Sequence, residues 1–321
     1  MQPRRNHAAR PLLWLRRLCN RGARWYKRRS VRRPPEWRRQ NGFGAFVTFI
    51  QIAVLALVQG ITEFLPISSH AHLILARHLL RLPGTGLSFD IAVHVGTLAA
   101  VVVYYWRDVW SMFTGMLRLI AGRGGPGARL FGRIVVATIP AVAAGYFMSR
   151  YVGETYNTIP VIAWTTVIFA FPLYLADRLC MTLRRVEHMS ALQAFVMGCA
   201  QAIALIPGVS RSGITMTAAR VMGYERTEAV RFSLLMSVAA ITGAAALDGY
   251  DLYKSGDFQM HSDLVIGAGL TFVAAIVVIP LLVGWLRRAT FAPFVIYRLI
   301  LGAILLAAIY WGGIPPGTAP G

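Results

Sequence analysis

The chain has 321 residues, of which 56% are hydrophobic and 14% charged, and its mean hydropathy is +0.54. A soluble domain carries about a quarter charged residues because its surface faces water; here apolar residues gather in runs of about 17–23, long enough to cross roughly 30 Å of hydrocarbon, which excludes an ordinary soluble fold. The net charge of +20 is no nucleic-acid signal, because +13 of it sits before Gly42, where fourteen Lys and Arg face one acid, Glu36.

Residues 1–43 read as a basic extension, either disordered or the product of a mis-assigned start. Such a run can bind anionic lipid heads. Pro11–Leu15 is too short to be the apolar core of a signal peptide. Residues 44–312 read as one membrane domain in two halves, about 44–176 and 191–312, with a short tail at 313–321. Cys19, Cys180 and Cys199 show no metal-ligand spacing and read as small packing residues.

The predicted fold is an all-α integral membrane protein with about six transmembrane helices and two re-entrant helix pairs in inverted-topology repeats. The first half opens with an interrupted apolar region, Phe46–Leu80, whose polar core is Gln59-Gly-Ile-Thr-Glu63-Phe-Leu-Pro66-Ile-Ser68-Ser69-His70-Ala-His72. Three predicted spans follow, at Phe89–Trp106, Ile134–Arg150 and Thr158–Ala176, with a shorter amphipathic segment, Ser111–Ala121, placed in the membrane interface. The second half opens with Ala191–Met222, interrupted by Gln201-Ala-Ile-Ala-Leu-Ile-Pro207-Gly208-Val-Ser210-Arg211-Ser212-Gly213-Ile-Thr215. Spans at Ala229–Leu247, Leu264–Leu286 and Pro293–Trp311 complete it.

The two interruptions align through Gln, Pro and paired serines with a one-residue gap. Broken helices at corresponding positions of two halves point to a site near the bilayer midplane. If both are re-entrant, the odd number of intervening spans sends them in from opposite faces. Basic loops at Arg118–Arg133, Arg178–Arg185 and Arg287-Arg288, against the acidic loop Gly249–Ser262, place the C-terminus and Phe46 outside. That orientation conflicts with a cationic leader ahead of Phe46.

Glu63 is a carboxylate inside an apolar segment, where ionisable groups usually serve function; it can hold a hard divalent cation or act as a base. Ser68 and Ser69 follow Pro66, where the helical hydrogen-bond ladder breaks. They can cap the restarted helix, or offer a hydroxyl beside free N–H groups for phosphate binding or attack on phosphorus. His72 lies one turn from Ser69 and is a candidate general acid, whereas His70 and His94 are weaker candidates. Arg211 needs an anion, and its planar fork suits phosphate oxygens as well as an ion pair with Glu63. Ser210, Ser212 and Thr215 can cradle phosphate or satisfy broken backbone. Arg107-Asp108, Arg226 with Glu225 and Glu228, and Glu154 read as solvated flanks.

Gln-Gly-Ile-Thr-Glu-Phe-Leu-Pro-Ile-Ser-Ser at Gln59–Ser69 and Pro-Gly-Val-Ser-Arg-Ser-Gly-Ile-Thr at Pro207–Thr215 resemble the two signatures of the undecaprenyl-diphosphatase family of bacitracin-resistance proteins. The resemblance runs from about Phe46 to Trp311, includes Phe89–Thr97, and omits the leader. It implies interdigitated inverted repeats, a homodimer, and conversion of undecaprenyl diphosphate to the monophosphate at the outer face of the bacterial inner membrane. The implied partners are a polyprenyl diphosphate and membrane lipids, with no nucleic acid. The implied cofactor is a divalent cation, Mg2+ or Ca2+. Glu63 would be metal ligand or base, with Gln59 beside it in the metal shell. Ser69 would be the nucleophile, Ser68 and His72 would assist, and Arg211 would clamp phosphate with Ser210, Ser212 and Thr215. Gln59 stands where some members have glutamate, and His70-Ala71 where some have Thr-Gly. A transporter or flippase for a polyprenyl phosphate lipid is the competing reading.

Overall fold

The computed structural model describes residues 49–79, 86–151, 158–180, 183–255 and 262–311. The basic extension, the tail and Glu154 lie outside the described residues. Twelve α-helices are described, and no strand occurs among these residues beyond an isolated bridge between Arg184 and Tyr224. They are α1 (Phe49–Thr62), α2 (Ser69–Leu79), α3 (Gly86–Tyr104), α4 (Trp106–Ile120), α5 (Pro126–Tyr151), α6 (Ile159–Ile168), α7 (Ala170–Leu179), α8 (Ala191–Ile203), α9 (Arg211–Val221), α10 (Arg226–Ser255), α11 (Ser262–Leu286) and α12 (Ala292–Tyr310).

Five segments are long and apolar enough to cross a membrane: α5, the α6–α7 pair, α10, α11 and α12. A sixth exists if α3 and α4 form one broken span, bent by 88°. All six predicted spans therefore lie on helices. The predicted amphipathic segment is longer than expected, since α4 starts at Trp106 rather than Ser111. Trp106, Trp110, Phe113 and Leu117 are exposed, whereas Met112 and Gly115 are buried against the rest of the chain.

Packing follows membrane rather than aqueous rules. Ile296, Ile300 and Ile304 repeat every fourth residue on α12 and are all exposed, forming an apolar ridge that water would not tolerate. Small residues let helices approach closely where they meet. A Cβ at Gly60 would lie 2.6 Å from the Thr271 carbonyl oxygen of α11, and one at Gly198 would lie 2.4 Å from that of Ala137 on α5. Thus α1 of the first half packs on α11 of the second, and α8 of the second packs on α5 of the first.

Of the residues read as solvated flanks, Asp108, Arg226 and Glu228 instead brace separate elements, while Arg107 is exposed and Glu225 meets Arg185 only at 3.7 Å on an exposed surface. Asp108 on α4 accepts from Arg231 Nη2 at 2.7 Å and from its Nε at 3.1 Å. The same guanidinium reaches Glu187 at 3.0 Å. Glu228 accepts from the Val186 amide at 2.9 Å. Asp177 pairs with Arg226 at 2.7 Å and Arg220 at 3.2 Å, and accepts from the Phe291 amide at 2.9 Å. The sequence pattern misleads here because these charges are adjacent to span ends, while their partners are 42 to 123 residues away.

Candidate active site

Both interruptions are real breaks. After α1, Glu63 keeps one last helical bond, its amide donating to Gln59 O at 3.0 Å. The chain then turns through Pro66, which has no N–H to continue the ladder. Ser68 adopts φ +72°, and α2 starts at Ser69. After α8, short turns lead through Pro207 to Ser210 at φ +74°, and α9 starts at Arg211. Ser210 caps α9, its Oγ accepting from the Gly213 amide at 3.2 Å.

Ser68 and Ser210 are the two non-glycine residues with positive φ among those described. Each such conformation costs on the order of 1–3 kcal/mol and clusters at functional sites. They also correct the alignment of the halves. Matched on these serines, Gln59 and Gln201 each fall nine residues earlier, so no gap is needed. The prolines do not correspond, since Pro66 precedes its serine by two residues and Pro207 by three.

Glu63 is the centre of the site and is buried. Its Oε1 accepts from Arg211 Nη2 at 2.5 Å. Its Oε2 accepts from Ser69 Oγ at 2.6 Å and from Gln59 Nε2 at 3.0 Å. The structure thus brings together the acid, the hydroxyl, the guanidinium and the amide that the sequence singled out. In this arrangement Glu63 can take the hydroxyl proton of Ser69, while Arg211 offers its remaining N–H donors to an anion. Gln59 Oε1 is buried without a hydrogen-bond partner. No group of three or more His, Cys, Asp or Glu suited to a metal occurs among the described residues.

The other predicted site residues are placed differently. His72 Nδ1 faces Ser68 O at 2.7 Å, and its Nε2 faces Tyr297 Oη at 2.6 Å, with the rings stacked 5.5 Å apart. A carbonyl can only accept, so Nδ1 carries the proton; neutral His72 then accepts from the Tyr297 hydroxyl. Both ring nitrogens are thus engaged, and neither bonds Ser69 or Glu63. Ser212 Oγ donates to Leu65 O at 2.9 Å and lies 3.2 Å from Ser210 Oγ. Thr215 Oγ1 donates to Arg211 O at 2.8 Å and lies 2.7 Å from Ser233 Oγ. All three hydroxyls are engaged inside the protein: Ser210 and Ser212 bond main chain at the breaks, and Thr215 bonds within α9 and to Ser233. Ser68 is buried and contributes its carbonyl to His72. His94 Nδ1 donates to Asp90 O, 2.7 Å away, rather than to Glu63.

Sequence reading missed two neighbours on α12. Tyr297 holds His72, and Arg298 is fully buried. The signal for Arg298 was available, since it is an ionisable residue inside an apolar span, as Glu63 is. Tyr297 carries no such signal.

The description "Bacitracin resistance protein BacA" matches residues 52–304. The chain is 48% identical over 278 residues to Undecaprenyl-diphosphatase 1 of Rhodospirillum rubrum, covering 84% of this chain and 98% of the relative. It is 45% identical to the undecaprenyl-diphosphatase of Jannaschia sp. and 44% identical to that of Ruegeria pomeroyi, covering 82% of this chain and the full length of each relative. The matched stretch contains both breaks and every residue of the Glu63 centre, and on that extent of similarity this chain belongs to the bacitracin-resistance BacA family.

Proposed function

We propose that the chain hydrolyses undecaprenyl diphosphate to undecaprenyl phosphate and inorganic phosphate, in line with the names of its relatives. The observation that carries this reading is the Glu63 carboxylate, which bonds the Ser69 hydroxyl and the Arg211 guanidinium at once. Phosphoryl transfer needs positioning and charge neutralisation above all. Arg211 binds non-bridging oxygens of the terminal phosphate. Ser69 Oγ attacks the terminal phosphorus and its proton passes to Glu63, while the bond to the bridging oxygen breaks and undecaprenyl phosphate leaves. Glu63 hands that proton to the departing undecaprenyl phosphate. Water then displaces the phosphoryl group from Ser69, Glu63 passing one water proton to Ser69 Oγ to restore the hydroxyl while inorganic phosphate keeps the other. If Ser69 positions water instead, the same carboxylate takes the water proton.

The unpartnered Gln59 Oε1 beside Glu63 suits a hard divalent cation, though with a single carboxylate the protein supplies a sparse shell. Gln59 and Glu63 would hold the ion. It would neutralise charge on the diphosphate oxygens.

Two re-entrant pairs in inverted repeats fit the left-handed serines, the gapless Gln59–Gln201 register and the packing of α1 and α8 on the opposite halves. The excess of Arg on alternate loops supports a multi-pass protein of the inner membrane whose site opens outward.

Phosphate release from undecaprenyl diphosphate by the purified chain in detergent tests the proposal. Release is expected. A lipid carrier would bind the diphosphate, move it across vesicles and release no phosphate.

A further inference from the structure

Arg298 has no exposed surface, and all of its hydrogen bonds go to main-chain carbonyls. Nη1 donates to Val209 O at 2.9 Å and Pro66 O at 3.3 Å. Nη2 donates to Gly208 O at 3.2 Å and Thr165 O at 3.4 Å, and Nε to Thr166 O at 3.1 Å. Pro66 belongs to the first break, Gly208 and Val209 to the second, and Thr165 and Thr166 to the last turn of α6. One side chain on α12 therefore ties both breaks to a third element. Carbonyls near a broken ladder lack the usual donors, and each left unsatisfied away from water is costly.

The placement is tight as well as saturated. A Cβ at Gly213, in the first turn of α9, would lie 3.1 Å from Arg298 Nη1 and 3.2 Å from Ser210 Oγ. The guanidinium thus sits against the turn that launches Arg211. No acidic side chain forms an ion pair with Arg298 among the described residues. A buried charge is normally paired with another charge; here a fan of carbonyl dipoles takes that place.

We infer that Arg298 is a positioning residue for phosphoryl transfer: it clamps the Pro66 and Gly208–Val209 carbonyls together so that Arg211 meets Glu63 and Ser69. The inference rests on the Glu63 centre being the phosphoryl-transfer site. The planar fork is required, because the acceptors lie in three directions and an ammonium offers only three donors from one point. Arg298 touches neither Glu63 nor Ser69, so it acts through the breaks.

Two measurements on Arg298→Lys and Arg298→Met, in the full chain, test this. The first is phosphate release with kcat separated from KM. Arg298→Lys keeps the charge and loses the fork, so kcat falls by about 10²-fold, as an ångström-scale misplacement of reacting groups does, while KM stays within about threefold. In an Arg211→Lys background the same change costs no more than about threefold further, since residues acting through one another are not additive. Parent-like kcat for Arg298→Lys, or losses that multiply in the double variant, overturns the inference. The second measurement does not depend on activity. Spin labels at Ile61→Cys and Leu205→Cys, both exposed beside the two breaks, are placed in a chain whose own cysteines are replaced by serine. A single narrow distance distribution is expected with Arg298, and a broadened one in both variants. An unchanged distribution overturns the clamp even if activity falls. Should the unmodified chain release no phosphate, the catalytic reading fails while the label distances still decide the clamp.

Discussion

Glu63 and Arg211 are 148 residues apart in sequence, yet the Arg211 guanidinium donates to the Glu63 carboxylate at 2.5 Å across two separate helix breaks. The contact does two jobs. It joins the halves of the chain, and it leaves the second carboxylate oxygen free to hold Ser69.

Removing one partner of this pair should be worse than removing both. The Glu63 side chain is 7% exposed and that of Arg211 21%, so each single change strands a charge in a poorly solvated place. Glu63→Gln should lower stability by about 2–4 kcal/mol, below the top of the range for fully buried pairs because Arg211 retains some solvent. Glu63→Gln/Arg211→Met should lose less than the sum of the singles. Thermal unfolding in detergent reads this; strict additivity would mean the pair is not coupled.

Tyr297→Phe removes the hydroxyl that bonds His72 Nε2 and leaves the stacked ring in place. The lost hydrogen bond corresponds to about 1 kcal/mol, hence roughly five-fold. If His72 takes part in turnover, kcat should fall by that factor with unfolding temperature nearly unchanged. An unaltered kcat would confine the His72–Tyr297 pair to a structural role.

Gln59→Glu would set a second carboxylate beside Glu63 Oε2. Repulsion between the two disfavours the metal-free site, and a divalent cation relieves it. Half-maximal phosphate release should therefore need less divalent cation in the variant than in the parent, and a chelator should inhibit the variant more completely. Identical cation titrations would place Gln59 outside any metal shell.

Asp108→Asn disrupts the paired bonds from Arg231 between α4 and α10, far in sequence from both breaks. Bonds to charged groups contribute about 1.5–3 kcal/mol when well buried, and less here because both side chains are partly exposed. Unfolding temperature should drop by a few degrees with kcat within about twofold. A large fall in kcat at unchanged stability would show that this brace reaches the site.

Much of this was legible in the residues. Helical spans announce themselves by apolar runs, and Glu63 and Arg211 by being charges within them. The Gln59–Ser69 and Pro207–Thr215 strings carried the family likeness. What stayed hidden depended on three dimensions. The fate of the Ser210, Ser212 and Thr215 hydroxyls could not be decided, because a serine near a broken helix serves phosphate and backbone equally well. In the fold Ser210 and Ser212 meet main chain at the breaks, through Gly213 and Leu65, while Thr215 meets Arg211 O and the Ser233 hydroxyl. The equivalence of Ser68 and Ser210 was masked by prolines in different registers, since a proline is visible in a sequence and a left-handed φ is not. Asp108 and Glu228 looked solvated because local sequence says nothing of a guanidinium 123 residues away or a main-chain amide 42 residues away.

The most direct measurement compares inorganic phosphate release from undecaprenyl diphosphate by four purified proteins: the parent, Ser69→Ala, Arg211→Ala and the double variant. Groups that act together on one phosphorus fail together, so each single change should cut kcat/KM by at least about 10²-fold, and the double should be no worse than the poorer single within about threefold. Near-parent release by Ser69→Ala, or a double variant whose losses multiply, would contradict a shared centre at Glu63.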